Sequence, residues 1–176
     1  MEHTLRRRIG KGGLLAALVI GLSLPTSAKA GEAQQTNVPS AHGFDATADA
    51  ALAAMKSKAE ELKIGGVAVV AYFEGETIQS WSSKMIVVGR YKDEPTMKDR
   101  GSNLLGIVYA KAAEMADTHR DSGSQVRAPL TGEFGWSGGV IAKGRAGYFI
   151  AAFSGGKSDD DVQVSRTGLA KLQSGE

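Results

Sequence analysis

Few side chains in this chain are equipped for chemistry, and several of them stand together. The stretch KAAEMADTHR, 111–120, sets Lys111, Met115 and His119 at four-residue intervals, with Arg120 next to the histidine and Arg127 in the segment beyond. At helical spacing the first three share a face. An imidazole moves a proton near neutral pH and ligates metals, a thioether is a soft donor, and the three cations can pair with carboxylates. The bland alternative is equally physical: a histidine at a helix C-terminus complements the helix dipole, and lysines and arginines are ordinarily solvated charges. Other chemistries find less support. With no cysteine, and with His3, His42 and His119 far apart in sequence, a four-ligand zinc site is disfavoured. Serines and aspartates are plentiful, yet hydrolysis is the less favoured chemistry. The run Asp159, Asp160, Asp161 suits a helix start better than a metal, because consecutive helical side chains diverge.

The elements that must position these groups can be read from apolar spacing and turn residues. An Ala-rich segment from about Asp45 to Lys63 carries Ala51, Met55, Ala59 and Leu62 on one stripe, with Asp45 placed to cap its start. Gly65 and Gly66 end it. The runs VAVVAYF (67–73) and TIQSWSSKMIVVG (77–89) predict two strands joined at Glu74-Gly75-Glu76. After a polar connection (92–99), Ser102 is placed to cap a helix reaching about Thr118, with Leu105, Val108, Ala112, Met115 and His119 as its inward stripe. The Gly- and Ser-rich stretch 121–137 predicts a long loop able to border a ligand. In GGVIAKGRAGYFIAAFSGG, 138–156, Gly144 and Gly147 are expected to supply positive φ angles to a hairpin. The outer glycine pairs serve either the turns alone or a backbone that also borders a pocket. Ser158, with Asp161 in the reciprocal position, predicts the cap of a last helix.

Residues 1–30 read as a cleaved secretory signal: Arg6, Arg7, Arg8 and Lys11, an apolar core from Leu14 to Leu24, and Ala28-Lys29-Ala30 before the cut. Arg6, Arg7, Ile9 and Lys11 also resemble a twin-arginine string. Residues 31–43 are expected to be a flexible leader and 44–176 a single domain, periplasmic or secreted. Beyond residue 30 the chain holds 16 lysines and arginines against 18 acids, so its basic character belongs to the signal. No nucleic-acid partner is expected from that balance.

The GVAVV strand after an Ala-rich helix, the Ala-Lys-Ala core of the middle helix, and GGV followed by a hairpin, Phe-Ser-Gly-Gly, an acidic helix start and Thr167-Gly168-Leu169 together resemble a known family. It comprises the glycolate-operon accessory proteins and the extracellular heme-binding proteins, and its domain also follows corrinoid adenosyltransferase domains. The resemblance covers Asp45 to Leu172. It implies an α/β (α+β), profilin-like fold, with a five-stranded antiparallel sheet sandwiched between helices, and assembly into homo-oligomers. It further implies heme or another small-molecule ligand and an accessory or sensing role, with a membrane protein as a partner to which heme is presented. A second reading is an accessory enzyme or binding protein for a small oxidised metabolite. Binding is favoured over catalysis. Under the heme reading His119 is the candidate iron ligand, flanked by Met115, Lys111, Arg120 and Arg127. Two departures from the family pattern matter: Ala71 stands where an Asp is usual, and Lys111-Ala112-Ala113 lacks the hydroxyl implicated near there as an iron ligand.

Overall fold

Val67-Ala68-Val69-Val70-Ala71 shows no polar alternation because both of its faces are covered. The computed structural model describes residues 41–174, so the expected signal and the leader as far as residue 40 lie outside the described residues. In chain order the elements are α1 (Ala41–Glu61), β1 (Gly66–Glu74), β2 (Ser82–Val88), β3 (Lys92–Asp93), β4 (Ser102–Asn103), α2 (Leu104–Thr118), β5 (Gly139–Lys143), β6 (Gly147–Ser154) and α3 (Ser158–Gln173).

The main sheet is antiparallel throughout, with strand order β2-β1-β6-β5. Period-two alternation divides its central strands between two cores. Ala68 and Val70 of β1, with Phe149, Ala151 and Phe153 of β6, face α1 and α3. Val67, Val69, Ala71 and Phe73, with Ile150 and Ala152, face α2. The layered α/β architecture is therefore the expected one, helices on both faces of an antiparallel sheet. It has four main strands where five were expected. The segment that would add a fifth pairs with itself, as the two-residue ladder β3-β4, and leads straight into α2.

Local details correct several expectations. Asp45 lies inside α1 instead of capping it. The cap of α2 is Asn103, one residue beyond the expected Ser102, and its side chain accepts from the Gly106 N–H at 3.0 Å. Lys157, not Ser158, occupies the cap position of α3 and gives no side-chain cap bond. Neither Gly144 nor Gly147 is among the residues with positive φ. The β5-β6 reversal is closed by the Gly144 N–H donating to the Gly147 carbonyl at 2.8 Å, and Gly147 is required because a Cβ there would strike the Phe73 carbonyl. Among the described residues, no helix is long and apolar enough to cross a membrane.

Candidate functional site

The sequence-predicted site residues separate along α2. His119 sits at its C-terminal end and Lys111 two turns earlier, about 12 Å apart at 1.5 Å rise per residue. They open onto different cavities.

His119 is the C-cap of α2 in the left-handed conformation (φ 53°), its N–H donating to the Met115 carbonyl at 2.8 Å. Histidine tolerates that region better than most residues. This placement swings the ring off the helix and onto the sheet. The ring stacks on Tyr148 at a centroid distance of 4.2 Å and 15°, and lies 6.1 Å from Phe73. Phe73 in turn stacks against Tyr148 and Trp81. The ring nitrogens make no hydrogen bond among the described residues. Beside it is a groove of about 280 Å³, floored by Ile141 and Ala142 and edged by Arg120, Lys143 and Tyr148.

Sequence reasoning missed the groups that fix this wall. The Tyr148 hydroxyl donates to Glu76 Oε2 at 2.7 Å, and Glu76 also pairs with Lys143. The Lys143 bond, then the Tyr148 bond, holds the Glu76 carboxyl below its ordinary value, and Glu76 raises both Tyr148 and Lys143. Glu76 leaves the end of β1 while Lys143 and Tyr148 flank the β5-β6 turn. The available signal was the antiparallel pairing of the two hairpins, which brings both turns to one end of the sheet.

Met115 lies outside the groove. It is fully buried, with its sulfur 2.9 Å from where a Cβ on Gly139 would stand, so it packs the core beneath β5. Ala112 is also fully buried between α2 and the sheet, which removes that position from any ligand-facing surface. Arg120 is exposed on the groove edge. Arg127 is engaged elsewhere. Its guanidinium spans Asp117 Oδ2 (2.9 Å from Nε) and both Glu133 oxygens (2.6 and 2.9 Å), and these bonds, Glu133 first, raise its pKa.

Lys111 is inside the protein. Its ammonium donates to Asp161 Oδ2 at 2.9 Å and to the Phe153 carbonyl at 2.8 Å, and both side chains of the pair are only 4% exposed. Burial pushes Lys111 down and Asp161 up, each opposed by the partner's charge. Asp161 Oδ1 accepts from the Gly156 N–H at 2.8 Å. Here the outer glycines find their reason. Gly138 (φ 136°) would drive a Cβ into the Lys111 ammonium, and Gly155 (φ 153°) would drive one into the Gly65 carbonyl. Of the two pairs, Gly155-Gly156 borders a cavity of about 200 Å³, walled also by Lys111, Asp161, Ser154, Ser137, Ser158 and Trp136. Asp161 was read as a helix-start residue. Its position on the stripe Asp161, Ser165, Gly168, Leu172, the buried face of α3, was the signal.

The fold is a small helix-sheet-helix domain with one cavity at the C-terminal end of α2 and another beside its N-terminal half. No family model matches the chain, and no curated protein does. Two solved structures are similar to it in fold. One is a PduOC:heme complex, at 15% identity and a TM-score of 0.46, covering 75% of this chain and 93% of that one. The other is the Klebsiella pneumoniae protein ORFY, of family DUF336, at 15% identity and a TM-score of 0.44, covering 72% and 88%.

Proposed function

We propose that this chain is an exported heme-binding accessory protein that holds one face of the macrocycle in the His119 groove. The observation that carries the reading is the presentation of His119: an imidazole fixed by its cap and by the Tyr148 stack, with no hydrogen-bond partner for its nitrogens among the described residues. The donor set fits the group. Heme iron accepts a single proximal histidine, and a planar macrocycle suits an apolar floor such as Ile141 and Ala142. Arg120 is the cation left available for a propionate, since Lys143 is shared with Glu76 and Arg127 with Asp117 and Glu133. Bound heme would supply reversible iron redox and ligand chemistry, while the chain orients the ring and covers one side. At about 280 Å³ the groove is too small to enclose it. The exposed side is left for solvent, for a second copy of this chain, or for a membrane protein to which heme is handed. Export rests on the charged, apolar and small-residue pattern of residues 1–30.

Hemin titration followed by the Soret band tests the site. His119→Ala is expected to shift the band and weaken affinity about tenfold or more, ~1.4 kcal/mol per decade. Met115→Leu, a core change, should leave the band position unaltered. A His119→Ala protein that titrates like its parent overturns the assignment. Intact mass of the exported protein is expected to begin at Gly31; a mass retaining residues 1–30 overturns the export reading.

A further inference from the structure

We propose that the cleft beside the Lys111–Asp161 pair is a second binding site, one that takes a small monocarboxylate. The case rests on a count of donors and acceptors. An ammonium has three N–H donors. Two of those on Lys111 go to Phe153 and Asp161, and the third has no acceptor among the described residues. Ser154 is only 4% exposed, lines the cleft, and its hydroxyl has no partner among the described residues. Its oxygen is reached through the cleft, so its partner is water or something bound there. α3 opens into the same cleft without a side-chain cap, leaving first-turn N–H groups to whatever lies there.

The carboxylates and the Gly155 carbonyl on the walls are already engaged. Asp161 receives Lys111 and the Gly156 N–H, Asp93 receives the Arg90 Nε at 2.7 Å, and the Gly155 carbonyl receives the Arg90 Nη2 at 2.9 Å. What remains is the third Lys111 N–H and the first-turn N–H groups of α3, which can only donate, beside serine hydroxyls that can do either, and their complement is an oxygen acceptor. Charge limits that acceptor to a single negative charge, because Asp161 offsets Lys111 and Asp93 also lines the cleft, against a dianion. Size limits it too. About 200 Å³ is below the ~300–1,000 Å³ of sites for drug-sized molecules, so the ligand is a few carbons long. The indole of Trp136, half exposed at the edge, offers an apolar wall to that carbon chain.

Trp136 is also the reporter. The chain has two tryptophans, and Trp81→Phe leaves Trp136 as the only one, to be excited where tyrosine does not absorb. In that background, titration with acetate, lactate and pyruvate at constant ionic strength is expected to give a saturable change in emission, and phosphate none. Adding Ser154→Ala should weaken the carboxylate response about tenfold. Because the Ser154 hydroxyl holds nothing in place, this variant should fold like its parent and titrate hemin unchanged, which separates this site from the His119 groove. No saturable response at millimolar carboxylate, an equal response to phosphate, or an unchanged response in Ser154→Ala overturns the proposal and leaves the cleft as a hydrated gap beside a structural ion pair.

Discussion

Lys111 and Asp161 illustrate how little a residue type reveals until its partner is known. As a pair buried to 4% exposure they carry opposite charges that each need the other. Removing one leaves the second uncompensated in a low-dielectric interior, whereas removing both for apolar residues of similar size is often neutral. Asp161→Ala is therefore expected to cost about 3–5 kcal/mol of stability. The double variant Lys111→Met, Asp161→Leu should recover most of that loss, read as midpoints of urea unfolding with unchanged slopes. Equal losses in the single and double variants would mean that the Gly156 bond to Asp161 matters more than the pair. Phe153 is a contrasting residue. It is fully buried among apolar neighbours, so Phe153→Ala should cost about 3–5 kcal/mol through the cavity it leaves, with no compensating partner to remove.

Among the elements, the long loop between α2 and β5 departs most from what its composition suggests. Its glycines and serines suggest freedom, yet it is tied at several points. The Gly123 N–H donates to Glu114 at 2.9 Å, Asp121 accepts from the Ile141 N–H at 3.0 Å, and Arg127 bridges Asp117 and Glu133. Arg127 holds the Glu133 carboxyl below its ordinary value of 4.5, chiefly by its hydrogen bonds. A lowered folded value means the unfolded chain takes the proton first. The contribution is therefore complete above pH 4.5 and is lost as the pH falls through the lower folded value. Limited proteolysis in the loop is expected to quicken below pH 4.5, and Glu133→Gln should show the faster cutting already at pH 7. These ties explain why strands were legible in the sequence and much of the site was not. β1 and β6 announce themselves through β-branched and aromatic runs, and the stripe on α2 through its spacing. The cap of α2 was misplaced by one residue because Ser102 and Asn103 are both good caps and their residue types do not choose between them. Asp161 lies 50 residues from Lys111, and Glu76 lies 72 from Tyr148, so no local pattern could join them.

At the scale of the whole molecule, the strand order leaves β2 and β5 as the two edges of the main sheet. The two faces of β2 are treated differently. Lys84 points to the α1 side and meets Asp49 at 3.0 Å, while Met85 and Val87, opposite Val69 and Val67 of β1, face the α2 side and remain 36% and 41% exposed. α2 thus covers the centre of its face and stops short of the β2 edge. Exposed apolar side chains next to an open strand edge invite pairing with another chain. Closed symmetric assemblies bury such a patch against itself. If copies bury that patch against each other, light scattering at tens of micromolar should give a mass above that of one chain, and Met85→Glu with Val87→Glu should return it to the monomer. Neither residue touches the His119 groove or the Lys111 cleft, so both ligand titrations should survive the change. If hemin affinity instead falls with the oligomer, the second copy supplies the open side of the groove. A mass of one chain for the unaltered protein at those concentrations would remove the assembly while leaving the His119 groove to be judged by its own titration.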